Sequence, residues 1–170
     1  ALAAACAQAP AAFIVAPLVL GAGGMFVYSA DLLRAMAAIC RRHGVLFIAD
    51  EVMTGWGRTG TLFACEQAGV VPDIMAVAKG ITGGSIPLAA TLATAPIFAA
   101  HHSADRARLF YHSSSYTANP IACAAAAASG AGPRACPERG ADRSPARKGV
   151  PSRRASARRM SRRSSACSPG

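Results

Sequence analysis

The most informative segments of this chain are Phe-Ile-Ala-Asp-Glu-Val-Met-Thr-Gly-Trp at residues 47–56 and Ala-Lys-Gly at residues 78–80. In each segment a run of apolar residues leads directly to a charged side chain, and Lys79 follows Asp50 by 29 positions. Continuous apolar runs of this length are typical of parallel strands that are covered on both faces. A carboxylate and an amine at the ends of buried strands raise the free energy of the fold unless a partner binds both charges.

A pyridine ring that carries an aldehyde would use both charges. Asp50 would pair with the ring nitrogen, and the amine of Lys79 would bond covalently to the aldehyde. The pair therefore predicts the chemistry of pyridoxal 5'-phosphate.

The neighbouring sequence predicts an α/β fold. Residues 12–20 form an apolar run that we expect to be a buried strand interrupted near Pro17, and a glycine turn follows it. Ser29 begins a helix with an apolar stripe, which ends at Gly44 after a basic last turn. Residues 45–49 then form a second strand. This strand–helix–strand order predicts a parallel pair joined by a right-handed crossover.

Further elements follow the same alternation. We expect short helices over 62–68 and from 96 to 100, strands over 73–78 and 88–94, and an alanine-rich helix from Pro120 to Ala128. The chain should therefore contain a mostly parallel sheet with flanking helices.

The sequence changes character after Ser129. Residues 1–130 carry seven Lys and Arg against six Asp and Glu, whereas residues 131–170 carry eleven against two, so the tail holds most of the net charge of +10. Residues 130–170 contain no Leu, Ile, Phe, Tyr or Trp. We therefore expect residues 1–129 to be one partial domain and residues 130–170 to be a disordered basic tail.

Two origins of this tail stay open. A shift of reading frame in a GC-rich gene would give such a mixture of Arg, Ala, Pro and Ser without selection for folding. A genuine basic tail would bind nucleic acid through phosphates, and the binding would be non-specific because the tail has no aromatic side chains to stack on bases.

Cysteine usage and hydropathy indicate a cytoplasmic protein. The six cysteines form no Cys-x-x-Cys motif, which favours reduced thiols over a disulfide framework or a zinc site. Pro10, Pro17 and nearby glycines argue against a membrane-spanning helix in the uncharged first thirty residues. The chain opens on Ala1 without an initiator methionine, so we expect it to be a piece of a longer protein.

Six motifs resemble those of class III aminotransferases in order and spacing. They are Asp50-Glu51-Val52-Met53-Thr54-Gly55, Gly57-Arg58-Thr59-Gly60, Pro72-Asp73-Ile74, Ala78-Lys79-Gly80, Gly83-Gly84 and Ser115-Tyr116-Thr117-Ala118-Asn119-Pro120. The resemblance spans about residues 12–129. It implies the large domain of a fold type I enzyme that depends on pyridoxal phosphate, of which this chain would be a fragment that is inactive by itself.

The resemblance also implies a role for each matching residue. Lys79 resembles the lysine that binds the cofactor and moves a proton, and Asp50 the carboxylate that keeps the ring nitrogen protonated. Val52 would pack on the pyridine face. Thr117 would donate to the cofactor phosphate across the interface of a homodimer. The alternatives are a surface lysine, a turn aspartate, a core valine and an ordinary loop threonine.

Three further segments are most similar to class members that transfer an amino group from S-adenosylmethionine to 8-amino-7-oxononanoate in biotin biosynthesis. These segments are Gly21-Ala22-Gly23-Gly24-Met25, Leu62-Phe63-Ala64-Cys65-Glu66 and Leu88-Ala89-Ala90-Thr91-Leu92. Ala22 stands where many relatives that act on ornithine or γ-aminobutyrate carry Glu. Another class III aminotransferase, acting on ornithine, acetylornithine or an ω-amino acid, is the alternative.

Other polar residues give weaker signals. We expect Arg58 to buttress its turn, and Gly83 and Gly84 to form a tight turn rather than a phosphate loop. His101, His102 and His112 lack partners at metal-ligand spacing, so we expect surface histidines and no metal site.

Overall fold

The structure is a computed structural model, and it describes residues 1–112 and 114–131. Its helices are α1 (Leu2–Cys6), α2 (Ala30–Arg42), α3 (Cys65–Ala68), α4 (Ala95–His101) and α5 (Pro120–Ala131). Its strands are β1 (Ala12–Val15), β2 (Val19–Leu20), β3 (Phe26–Val27), β4 (Leu46–Asp50), β5 (Ile74–Val77) and β6 (Ala90–Ala93).

Four strands form one sheet in the order β1-β4-β5-β6. The two pairs β1–β4 and β4–β5 are parallel, whereas β6 runs antiparallel to β5. The prediction of an α/β chain with a mostly parallel sheet and flanking helices is confirmed.

Helix α2 covers the sheet because its sequence carries both the start signal and an apolar face. The Ser29 hydroxyl accepts a hydrogen bond from the backbone N–H of Leu32 at 3.2 Å, as an N-cap does. Leu33, Ala37 and Cys40 lie on one side of the helix and are buried. After the helix, Gly44 has a φ of +67°, a left-handed conformation that glycine adopts without strain, and the chain turns into β4.

The predicted strand over residues 12–20 is two strands in different sheets. Residues 12–15 form β1, and β2 leaves the main sheet to pair antiparallel with β3. The break falls at the buried Pro17, which has no backbone N–H to give to a sheet. Helix α1 and strand β3 had no prediction from the sequence.

The last helix crosses the boundary expected after residue 129, since α5 continues to Ala131. Of the expected tail, residues 132–170 lie outside the described residues. Within the described part of the chain, no helix has the length and hydropathy needed to span a membrane.

Candidate active site

Asp50 and Lys79, the predicted catalytic pair, lie at one edge of the sheet. Asp50 is the last residue of β4, and it pairs in register with Ala76 of the parallel strand β5. Strand β5 ends at Val77, two residues before Lys79. Asp50 and Lys79 therefore follow the carboxyl ends of neighbouring parallel strands, where open α/β sheets bind their ligands.

Lys79 begins a single 3-10 turn, Lys79–Thr82, and its side chain is exposed. Its φ of +50° is unusual for a residue with a Cβ. The turn can lie very close to Trp56 because the residue after Lys79 is a glycine. A Cβ added to Gly80 would lie 2.6 Å from Cβ of Trp56. The turn that presents Lys79 is therefore packed directly against Trp56.

Lys79 lines a cavity of about 1330 Å³, together with Arg58, Thr117, His112 and Phe110. Its polar groups include an amine, a guanidinium and a hydroxyl. This donor set suits an anionic ligand that also offers a group for an amine to attack, and pyridoxal phosphate has both features. The residues that line this cavity therefore fit the phosphate and the aldehyde of the cofactor.

Asp50 and Val52 are not among the residues that line this cavity. The Oδ1 atom of Asp50 accepts a hydrogen bond from the backbone N–H of Val52 at 3.1 Å, and both residues are half-buried. This local turn holds the carboxylate at the end of β4. The proposed contacts of Asp50 and Val52 with the cofactor ring stay predictions.

Thr117 lines the same cavity as Lys79 within one chain. Its hydroxyl accepts a hydrogen bond from the backbone N–H of Ser114 at 3.0 Å and lies 3.0 Å from the Ser114 hydroxyl. The side chain is exposed. Its contact with a phosphate across a dimer interface stays a prediction.

Arg58 and the glycine pair contribute more than the sequence indicated. Arg58 was expected only to support its turn, yet it lines the cavity. Gly83 and Gly84 form the expected tight turn, with φ of +63° and +81°, and they also line the cavity. The available signal for Arg58 was its position in a Gly-Arg-Thr-Gly turn, but only the folded chain brings that turn next to Lys79.

The histidines bear out the expectation of surface positions, because His101, His102 and His112 are exposed. They pack against Phe98 and Phe110. In the described residues, His, Cys, Asp and Glu side chains form no group of three that could hold a metal ion.

A buried carboxyl group lies beside the site, and the sequence did not single it out. Glu51 has no exposed surface. Its Oε1 accepts a hydrogen bond from the backbone N–H of Cys65 at 2.8 Å, and its Oε2 accepts one from the Thr54 hydroxyl at 2.5 Å. Burial, together with the nearby Glu51 carboxyl, raises the pKa of the Cys65 thiol to about 12.

This raised pKa predicts a loss of stability at high pH. Between pH 9.0 and about pH 12 the unfolded chain releases the Cys65 proton while the folded chain keeps it, so the free energy of unfolding falls as pH rises. The Cys40 thiol, whose pKa is raised to about 11 chiefly by burial, acts in the same direction. Urea unfolding of the wild type and of Cys65→Ser, at neutral pH and above pH 9.0, measures the effect. The variant should lose less stability, and an equal loss in both proteins would contradict the assignment.

Comparison with known proteins agrees with this geometry. The family described as aminotransferase class-III matches residues 1–129. A curated relative from Synechococcus elongatus, named adenosylmethionine-8-amino-7-oxononanoate aminotransferase, is 52% identical over 119 residues, which are 70% of this chain and 28% of the relative. A relative of the same name from Nitratidesulfovibrio vulgaris is 55% identical over 120 residues, or 69% of this chain and 22% of the relative.

Solved structures of aminotransferases also superpose on this chain. An aminotransferase from Bacillus anthracis superposes with a TM-score of 0.70 at 36% identity, over 75% of this chain and 29% of that one. An (S)-enantioselective omega-transaminase from Thermomicrobium roseum superposes with a TM-score of 0.64 at 47% identity, over 69% of this chain and 26% of that one. The chain spans about a quarter of the length of the curated relatives it matches. Sheet, cavity and sequence similarity together show that the chain belongs to the class-III aminotransferase family.

Proposed function

We propose that this chain contributes the lysine-bearing part of the cofactor domain of a pyridoxal-phosphate-dependent aminotransferase. The observation that carries the proposal is the position of Lys79, which follows a strand at the carboxyl edge of the sheet and lines one cavity with Arg58 and Thr117. Class-III aminotransferases depend on this cofactor. The catalytic assignment is Lys79 with Asp50, and the cofactor-binding assignment adds Val52 and Thr117.

Each of these residues has a defined task. When bound, pyridoxal phosphate supplies an electron sink for the substrate carbon. The Lys79 amine would bond to the cofactor aldehyde with loss of water. Once the substrate amine has displaced it, the free Lys79 amine would take up the proton that leaves the substrate carbon and return it. Thr117 would donate a hydrogen bond to the phosphate, and Arg58 is placed to neutralise an anionic group in the cavity. Asp50 would keep the ring nitrogen protonated, with Val52 against the ring.

For the whole protein we propose transfer of the amino group of S-adenosylmethionine to 8-amino-7-oxononanoate, a step of biotin biosynthesis. The support is the name of two relatives that share more than half of their aligned residues with this chain. The resemblance at Ala22, where many class members carry Glu, also favours this reaction over those of ornithine or γ-aminobutyrate relatives. The alternative is transfer from an ω-amino acid, which the similarity to an omega-transaminase supports. A homodimer in the cytoplasm completes the proposal.

Reductive labelling tests the cofactor site in the 170-residue chain. The protein is incubated with pyridoxal phosphate, reduced with borohydride, digested and analysed by mass spectrometry. Lys148, the only other lysine in the sequence, is an internal reference for the reagent. We expect Lys79 to be labelled at least about tenfold faster than Lys148, because a cavity that binds the phosphate raises the local concentration of the aldehyde. Equal labelling of the two lysines would contradict the proposal.

A chimera tests the substrates. The matching 119-residue segment of the Synechococcus elongatus relative is replaced by that of this chain, and amino transfer to 8-amino-7-oxononanoate is measured with S-adenosylmethionine or with an ω-amino acid as donor. Visible absorbance of the bound cofactor shows that the chimera has folded. We expect S-adenosylmethionine to remain the donor. A chimera that binds cofactor but prefers the ω-amino acid would favour the alternative.

A further inference from the structure

Glu51 is the most deeply buried ionisable side chain near the site, and it does not line the cavity. A buried carboxyl group lowers the stability of a protein unless its oxygens have hydrogen-bond donors. Here both oxygens have one: the backbone N–H of Cys65 on Oε1 and the hydroxyl of Thr54 on Oε2. Cys65 and Thr54 are themselves buried. This is a specific, fully enclosed arrangement rather than a surface contact.

These bonds close a loop, residues 52–64, which we call the clamp loop. Cys65 follows Glu51 by 14 positions in the sequence, and its backbone N–H donates to the Glu51 side chain. The two ends of the clamp loop therefore meet at Glu51. The backbone of Glu51 adds two more ties: its N–H donates to the carbonyl of Ala76 in β5 at 2.9 Å, and its carbonyl accepts from Gly55 at 3.0 Å. Most hydrogen bonds that fasten the clamp loop to the sheet edge therefore involve Glu51, and the N–H of Val52 adds one to the Asp50 carboxylate.

The clamp loop reaches the lysine through Trp56. The Trp56 ring packs edge-on against Phe63 of the same loop, with centroids 5.5 Å apart. Trp56 is also so close to Gly80 that a Cβ added to Gly80 would meet three atoms of Trp56 at 2.6, 2.8 and 2.9 Å. Gly80 is the neighbour of Lys79, whose φ of +50° has to be held by the surrounding structure.

We propose that Glu51 is a positioning residue for Lys79, acting through the clamp loop and the contact of Trp56 with Gly80. The inference rests on the proposed function only in taking Lys79 as the residue that attaches the cofactor. Glu51 is not among the residues that line the cavity, and in the described part of the chain it forms no ion pair with Lys79. Its effect is to keep Trp56 in place, so that the turn at Lys79–Thr82 presents the amine in one conformation.

Amide hydrogen exchange in the 170-residue chain tests the coupling without any cofactor. The reporters are the amides of Ile81 and Gly83, which donate to Ala78 and Gly80 within the turn. In Glu51→Ala we expect exchange at this turn to rise about tenfold, since both hydrogen bonds to a buried carboxyl are lost. Glu51→Gln keeps an acceptor for Cys65 and a partner for Thr54, so it should restore exchange to within about threefold of wild type.

Asp73→Ala is the matched control. Asp73 is also a carboxylate that accepts from a backbone N–H, that of Phe47 at 2.8 Å, but at the opposite ends of β4 and β5. Removing the Asp73 carboxylate should lower the free energy of unfolding. After correction for global unfolding, amide exchange at the turn Lys79–Thr82 should be unchanged. Equal acceleration at the turn in Glu51→Ala and Asp73→Ala would overturn the inference, because Glu51 would then act through global stability alone.

A milder variant covers the case in which Glu51→Ala does not fold. Thr54→Val removes one donor to Glu51 with little change in side-chain volume, and should raise exchange at the turn about threefold. Unchanged exchange in Thr54→Val would overturn the inference in that case.

Labelling by pyridoxal phosphate separates the two proposals. A wild type that labels Lys79 and Lys148 equally overturns the proposed function. If the wild type labels Lys79 faster than Lys148, and the labelling ratio is as high in Glu51→Ala or Thr54→Val, the positioning role of Glu51 is overturned.

Discussion

Replacing Lys79 with arginine is expected to abolish covalent attachment of pyridoxal phosphate to the cavity. A guanidinium keeps the positive charge that attracts the phosphate, but it stays protonated and cannot bond to the aldehyde as an amine does. Cofactor retained after dialysis should fall at least about 100-fold, because the covalent link is lost while the electrostatic attraction remains. Visible absorbance and the mass of the reduced protein measure the retained cofactor.

Lys148→Arg is the control for this experiment, since it makes the same chemical change at the other lysine of the sequence. It should leave the retained cofactor unchanged. If Lys79→Arg kept the cofactor and Lys148→Arg lost it, the cofactor would be attached to Lys148. That result would contradict the proposed function.

Replacing Gly80 with alanine is expected to damage both stability and the site. The new Cβ would lie 2.6 Å from Cβ of Trp56. The position of a Cβ is fixed by the backbone, so a change of side-chain rotamer cannot relieve this contact. Either Trp56 or the turn at Lys79 must therefore move, and overpacking of this kind costs about 1–3 kcal/mol. Urea unfolding measures the loss of stability, and the labelling ratio of Lys79 to Lys148 should fall below that of the wild type.

Gly23→Ala is the matched control, because its Cβ would meet its nearest atom, Leu20 Cβ, at an ordinary 3.5 Å. It should change the free energy of unfolding by less than about 1 kcal/mol, in the range of a tolerated glycine replacement. A loss of stability in Gly80→Ala no greater than that in Gly23→Ala would show that Trp56 and Gly80 are not in contact.

Several elements followed from local sequence alone. Helix α2 begins where Ser29 can cap it and carries an apolar stripe, and both signals lie within the helix itself. Strands β4 and β5 are continuous apolar runs, and each leads to one of the two residues predicted for catalysis. The same segments carry the class III motifs. Local sequence is therefore sufficient to predict the fold class, and it is what makes Lys79 and Asp50 the candidate catalytic pair.

The rest depended on contacts between residues distant along the chain. Strand β2 leaves the main sheet because its partner is β3, a pairing that no periodicity within residues 12–20 could indicate. Arg58 and Thr117 share a cavity with Lys79 only after separate loops have been brought together at the sheet edge. Asp50 and Val52, although adjacent to the same edge, are not among its lining residues.

Glu51 shows most clearly the difference between what local sequence indicates and what contacts between distant residues add. In the sequence it is the second carboxylate of an acidic pair, and nothing in its neighbourhood distinguishes a solvated side chain from a buried one. Its donor on Cys65 lies 14 positions away, and its link to Lys79 passes through Trp56 and Gly80. The residues that follow the strands can be predicted from the amino-acid sequence, because strand formation depends on a local apolar pattern. The contacts that hold those residues in place can be seen only in the folded chain, because hydrogen bonds and packing join atoms that are neighbours in space and not in the sequence.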